Sequence, residues 1–264
     1  MHNAAFEVAG IDARYELMEI EADAVASVVA AARGPEFLGL GVTAPYKRVV
    51  AGLVDEVEPD AVRIGAVNNV TKTAEVLIGF NSDAPGFRAG VELAMDRSLE
   101  GIDIVVAGAG GAAHAVVHAS VAAGAGRVTI GNRSVEGAAA LARRFGGHSV
   151  EVRAVALHDP AFADALRTAD LAVNATTVGM IDPGMTIEVA RLPASATVFD
   201  LVYVPPETPL LAAARARGLR AANGSEMLIA QAAIAFERWT GIGGMADVMR
   251  EAVAPLLADP TLQA

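Results

Sequence analysis

The chain has 264 residues, 53% of them hydrophobic, which supports one large or two small folded domains and rules out a disordered chain. A formal charge of −11 repels phosphate backbones and anionic lipid, so nucleic acid and membrane surfaces are not expected as partners. The absence of cysteine excludes disulfides, thiolate metal sites and a cysteine nucleophile, and the five histidines contain no HExxH-type pair, so no metal is expected.

No basic and apolar leader opens the sequence, so a cytoplasmic protein is expected. Residues 23–33 read as a helix with Asp23 as its N-cap. GLGVTA (39–44) reads as a short strand ended by Pro45, and RIGAVNNVTKTAEVLIGFN (63–81) as a hairpin-like pair of strands. Phe87, Val91 and Ala94 follow helical spacing over 85–95. Strand-like runs then begin at Ile102, Arg127, Glu151, Asp170 and Thr197, separated by alanine-rich helical stretches. Residues 104–126 carry no Asp, Glu, Lys or Arg, but the run is interrupted by GAGG and two histidines. It reads as a buried strand, a glycine turn and a core helix, not a membrane span. Residues 225–239 read as a further helix, and a last one starts at Ala246. Strand–helix alternation implies a parallel sheet covered on both faces.

The segment GAGGAAHA follows the strand from Ile102 and opens a helix. Gly108 permits a tight turn, and Gly110 and Gly111 let the backbone approach a pyrophosphate at the helix N-terminus. The fold class expected is therefore α/β, with a Rossmann-type doubly wound parallel sheet over 99–222. Residues 1–98 and 223–264 form a smaller, discontinuous α/β domain for the substrate. At the end of the second strand stands Asn132-Arg133-Ser134, where an NAD site usually has an acid. A guanidinium there pairs with a 2′-phosphate, which favours NADP; a plain surface arginine beside the next helix is the alternative.

Thr43 and Lys47 flank Pro45 in GVTAPYK, and Asp83 precedes Pro85 in NSDAPGF. Asp83 suits a helix N-cap, and a capping carboxylate stays ionised, so it could also hold a lysine ammonium. Reduction of a ketone by hydride needs a proton donor and positive charge at the developing alkoxide, and lysine supplies both. Asn68 and Gln231 are candidate neutral groups for substrate hydroxyls. Gln231 lies on the apolar side of its helix, where a backbone partner across the helix interface is the plainer alternative.

HNAAF, VTAPYK, GAVNN, GFNSDAPGF, GAGGAA, NRS, NATTVGM, DLVYVPPETPLL and EMLIAQAAIAFERWTG, in this order, resemble the signatures of the shikimate dehydrogenase family from His2 to the C-terminus. The resemblance implies NADPH-linked reduction of 3-dehydroshikimate to shikimate, in the pathway to aromatic amino acids. It implies a small cyclic hydroxy acid as substrate and a monomer or homodimer. By motif match Lys47 and Asp83 are the catalytic pair, with Lys47 as general acid. Thr43, Asn68, Tyr203 and Gln231 would contact the substrate. Gly108, Ala109, Gly110, Gly111 and Ala112 would hold the pyrophosphate, Asn132, Arg133 and Ser134 the 2′-phosphate, and Gly224 and Met227 would lie near the nicotinamide.

Departures from the family pattern are Gly41 in place of an Asn, Asn69 in place of a Thr, and Glu136 and Gly137 where a basic residue often follows. Family members usually carry a strand and a Ser-x-Ser-Pro segment before the HN motif, whereas these residues open at Met1-His2-Asn3. The resemblance thus implies either a start lying upstream or a divergent relative, with a sheet edge lacking its ladder partner. A paralogue acting on quinate, an aminoshikimate or another cyclic polyol acid, and a non-catalytic NADP-binding relative, are the alternatives.

Overall fold

A computed structural model describes residues 1–147 and 149–258. The chain forms two compact units: Met1–Asp83 with Ile229–Val253, and Ala84–Leu228 with the chain from Ala254. The end of the domain assigned from sequence, 259–264, lies outside the described residues.

The first unit is built on a four-stranded sheet of β1 (Gly39–Gly41), β2 (Glu56–Val57), β3 (Asn69–Thr73) and β4 (Val76–Phe80), in the order β1-β3-β4-β2. β3 and β4 form an antiparallel hairpin, closed by a two-residue link at Ala74 (φ 54) and Glu75. The strand reading of 63–81 therefore holds only from Asn69. Arg63 and Ile64 instead close a helix, Pro59–Ile64, with proline in its first turn and Gly65 in the left-handed region (φ 78) as its stop. The helix expected at 23–33 runs Val25–Ala31 and is preceded by Ala24, with no side-chain cap. Asp23 is thus not its N-cap, because it lies one residue too early to meet the first-turn amides. The core of this unit gathers Val25, Val29, Val50, Ala61, Val67, Val70 and Leu77. Phe236 of the helix Ser225–Thr240 packs on Phe6 with ring centroids 5.0 Å apart, and Trp239 donates its indole N–H to Val70 O at 3.0 Å.

The second unit holds a six-stranded sheet: β5 (Asp103–Ala107), β6 (Arg127–Asn132), β7 (Glu151–Ala156), β8 (Leu171–Asn174), β9 (Thr197–Asp200) and β10 (Arg220–Asn223). The order is β10-β9-β8-β5-β6-β7 and every pairing is parallel. β5 and β6 run outward one way and β8 and β9 the other, so the direction of winding reverses between β5 and β8. That is the doubly wound topology, and ligands in such sheets bind beyond the strand carboxyl ends at the reversal. Strands β8 and β9 are buried at every residue, as a sheet covered on both faces demands. Val105, Ala172, Val198, Leu211 and Ala214 lie in a core cluster of this unit.

Candidate active site

In the first unit, β1 ends just before a tight turn. Tyr46 N donates to Thr43 O at 3.0 Å, across a cis Ala44–Pro45 bond, and the chain enters the short helix Lys47–Val50. Lys47 is thereby the first residue of that helix, and its carbonyl accepts from Val67 N at 2.9 Å. The second strand of the hairpin ends at Phe80, and Asp83 begins the helix Asp83–Met95. Asp83 is therefore inside the helix and not its N-cap. Its own backbone N–H donates to Asn81 Oδ1 at 3.0 Å, and a carboxylate in the first turn suits the helix dipole.

These two segments, 36 residues apart in sequence, bring Lys47 Nζ within 2.7 Å of Asp83 Oδ2. The lysine side chain is 30% exposed and that of the aspartate 11%, so the pair opens to solvent on the lysine side. Asp83 Oδ1 accepts from Asn68 Nδ2 at 2.8 Å. Asn68 Oδ1 in turn accepts from Asn69 Nδ2 and from Ser82 N, each at 2.8 Å. Asn68 Nδ2 also lies 3.5 Å from Gln231 Oε1, a long contact that a hydroxyl could displace. Among the described residues Gln231 thus meets a side chain and not the backbone. Both lone pairs of the Asn68 oxygen are taken, and its two N–H groups face Asp83 Oδ1 and, at 3.1 Å, Ser82 Oγ, so a ligand oxygen meets Asn68 by sharing an N–H in place of the long Gln231 contact. Thr43 is exposed, and its hydroxyl makes only a 3.5 Å contact to Ala44 O. Lys47, Asn68, Asp83 and Gln231 are thus brought together, with Thr43 four residues before Lys47 on the same turn. Sequence reading missed Asn69 and Ser82. The doubled Asn and the Asn-Ser-Asp run were visible, but not their mutual orientation.

In the second unit, the turn after β5 carries the glycines. Gly108 has φ 113, and an added Cβ would stand 2.8 Å from Ala175 O, so only glycine fits against the loop after β8. Gly110 precedes the helix Gly111–Ala122, whose N-terminus has no side-chain cap. A Cβ at Gly110 or Gly111 would meet nothing within 4 Å, and Ala112 is exposed beside half-buried Ala109. The turn is an open, backbone-lined cradle at a helix N-terminus, which fits a dinucleotide pyrophosphate. At the end of β6, Asn132 Nδ2 donates to Ser134 O at 2.9 Å, and Ser134 caps the helix Val135–Phe145. Ser134 Oγ donates to Glu136 Oε2 at 2.7 Å, and that hydrogen bond holds the Glu136 carboxyl below the usual carboxylate range. Arg133 is exposed beside them.

Tyr203 is half-buried on the loop after β9. Gly224 is buried after β10, its missing Cβ making room for Leu201 O, and Met227 is 8% exposed. A second polar cluster, not read from sequence, holds these loops. Asp200, fully buried, accepts from Asn174 Nδ2 (2.8 Å), Val202 N (3.1 Å) and Thr208 Oγ (2.7 Å). Among the described residues no three of His, Asp and Glu gather as a metal site, and no helix is long and apolar enough to cross a membrane.

Three family models match stretches of the chain: the shikimate dehydrogenase substrate binding domain over 1–70, shikimate/quinate 5-dehydrogenase over 92–201, and the shikimate 5′-dehydrogenase C-terminal domain over 224–254. Shikimate dehydrogenase (NADP(+)) of Citrifermentans bemidjiense is 38% identical, over 98% of this chain and 91% of its own. The crystal structure of shikimate 5-dehydrogenase from Thermus thermophilus with NADP(H) and shikimate is 37% identical with a TM-score of 0.84, over 96% of this chain and 92% of its own. Quinate dehydrogenase from Corynebacterium glutamicum with NAD is 34% identical with a TM-score of 0.85, over 96% and 92%. With the doubly wound sheet, the glycine turn and the Lys47–Asp83 pair, these likenesses along the whole length establish that the chain belongs to the shikimate dehydrogenase family.

Proposed function

We propose that this chain interconverts 3-dehydroshikimate and shikimate with NADP as hydride carrier. The observation that carries this reading is the 2.7 Å pair of Lys47 Nζ and Asp83 Oδ2, held from the far side by Asn68. NADPH, when bound, supplies the hydride. The residues of the chain must then deliver a proton to the carbonyl oxygen as negative charge grows on it. Lys47 gives that proton and takes it back in the oxidative direction. Asp83 keeps the ammonium aimed and compensates its charge. Asn68 and Gln231 hold ring hydroxyls, with Thr43 and Tyr203 as further contacts. In the second unit Gly108, whose own N–H is taken by Gly131 O, lets the turn pass close to the pyrophosphate, which the amides at Ala109, Gly110, Gly111 and Ala112 receive, and Asn132, Arg133 and Ser134 take the 2′-phosphate. Gly224 and Met227 border the nicotinamide.

The test is steady-state oxidation of shikimate and of quinate, each with NADP and with NAD. Turnover of shikimate with NADP is expected to exceed the other three combinations. No turnover of shikimate at millimolar concentration defeats the proposal. NAD in place of NADP is the second reading, favoured by the carboxylate of Glu136 at Ser134. It predicts that NAD outperforms NADP in the same assay.

A further inference from the structure

The carboxamide of Asn68 has one orientation available to it, and the cause lies in two neighbours outside the proposed contacts. A backbone N–H can only donate, so the Asn68 atom facing Ser82 N at 2.8 Å is the oxygen. The second lone pair of that oxygen receives Asn69 Nδ2 at 2.8 Å. Asn69 directs its other N–H to Ser82 Oγ at 2.8 Å, and that hydroxyl oxygen also accepts from Asn68 Nδ2 at 3.1 Å. Asn68 and Asn69 are 5% exposed and Ser82 is fully buried, so water cannot replace a lost partner cheaply.

We propose that Asn69 is a positioning residue for the proton-transfer pair. By filling Asn68 Oδ1 it locks the Asn68 amide with Nδ2 on Asp83 Oδ1, which leaves Asp83 Oδ2 aligned on Lys47. This rests on the reading of Lys47 and Asp83 given above. Were the Asn68 amide inverted, its oxygen would face Asp83 Oδ1, two acceptors with no hydrogen between them. Asn69→Asp forces that conflict, since it sets a carboxylate oxygen against Asn68 Oδ1 while Ser82 N still demands an oxygen. The consequence passes along the chain Asn69, Asn68, Asp83, Lys47, and so it disappears when Asp83 no longer carries charge.

The experiment is a double-mutant cycle on the full chain. It reads kcat and KM for shikimate, NADPH dissociation by fluorescence, and the thermal melt for the parent, Asn69→Asp, Asp83→Asn and the double variant. Asn69→Asp is expected to lower kcat about tenfold or more, with KM changed by less than about threefold and NADPH affinity unchanged. The double variant is expected to match Asp83→Asn within about a factor of two. A folded Asn69→Asp with kcat within twofold of the parent, or an effect that multiplies fully with that of Asp83→Asn, overturns the proposal. If Asp83→Asn itself leaves kcat unchanged, the catalytic reading falls and this inference with it. Should Asn69→Asp not fold, Asn69→Leu, which deletes the donors without adding charge, repeats the cycle. A fall of about threefold that vanishes in the Asp83→Asn background supports the positioning role, and an additive or absent fall rejects it.

Discussion

Two buried carboxylates, one in each unit, are stabilised in different ways. Asp83 faces an ammonium at 2.7 Å and one carboxamide, in a cluster open to solvent on one side. Among the described residues no cation pairs with Asp200. It sits at the end of β9 on three neutral donors, from Asn174, Val202 and Thr208, and burial pushes its pKa up. A carboxylate beside a cation can hold a mobile proton donor in place. A carboxylate beside amides and hydroxyls fixes loops, here the segment from Val202 to Thr208 that carries Tyr203. Chemistry is expected where the charge has a charged partner, and architecture where it does not.

The sharpest way to break this contrast is at the cation. Lys47→Ala is expected to lower turnover by about two to four orders of magnitude, because it removes the group proposed to protonate the carbonyl oxygen. Stability should change little, on the order of 1 kcal/mol, since the lysine is 30% exposed and its carboxylate keeps the Asn68 bond. Stopped-flow oxidation of NADPH with parallel melting curves measures both. A variant within tenfold of the parent removes Lys47 from its role.

A third carboxylate, exposed at Glu136, sharpens the comparison through binding. It takes the hydroxyl of Ser134 at the helix start next to Arg133, where it opposes a phosphate that the arginine attracts. Arg133→Ala is expected to weaken NADPH about tenfold or more while leaving NADH within about twofold, by loss of a charge-assisted contact. Glu136→Gln is expected to do the reverse on a smaller scale, tightening NADPH by about threefold. Titration calorimetry with both nucleotides decides it, and equal changes for NADPH and NADH would contradict the placement of the 2′-phosphate.

Sequence legibility also differed between the two units. Strands β5, β6 and β8 announce themselves as apolar runs ended by glycine or asparagine, and β9 as one ended by Asp200, because a doubly covered sheet leaves no polar face to obscure them. β10, with the sequence RAAN, escaped that reading, since alanine and arginine carry no strand preference and only its parallel pairing with β9 makes it a strand. The helix Pro59–Ile64 is shorter than two turns and too brief to show a period. At the site, Lys47, Asn68 and Asp83 could be named from their motifs. That Asn69 and Ser82 orient Asn68 could not, because the direction of a carboxamide depends on which neighbour is a backbone N–H, and sequence spacing does not carry that information.

The smallest expected effect is at Asp200. Its raised pKa means the folded chain binds this proton more readily than the unfolded chain does. The stability that follows is complete below the unfolded carboxyl value, about 3.9, and is lost as pH rises through the higher folded value. Asp200→Asn should remove that loss. The new oxygen can accept from Asn174 and Val202, and the new NH2 can donate to Thr208 Oγ, which rotates to accept while still capping the helix Pro209–Ala216. Urea unfolding is therefore expected to place the variant within about 1 kcal/mol of the parent at pH 7, with a flatter dependence as pH rises above the unfolded carboxyl value of about 3.9. A loss above about 3 kcal/mol at pH 8 would mean that the three neutral donors require the charge itself. The distinction between a carboxylate kept for its charge and one kept for its geometry would then fail in this unit.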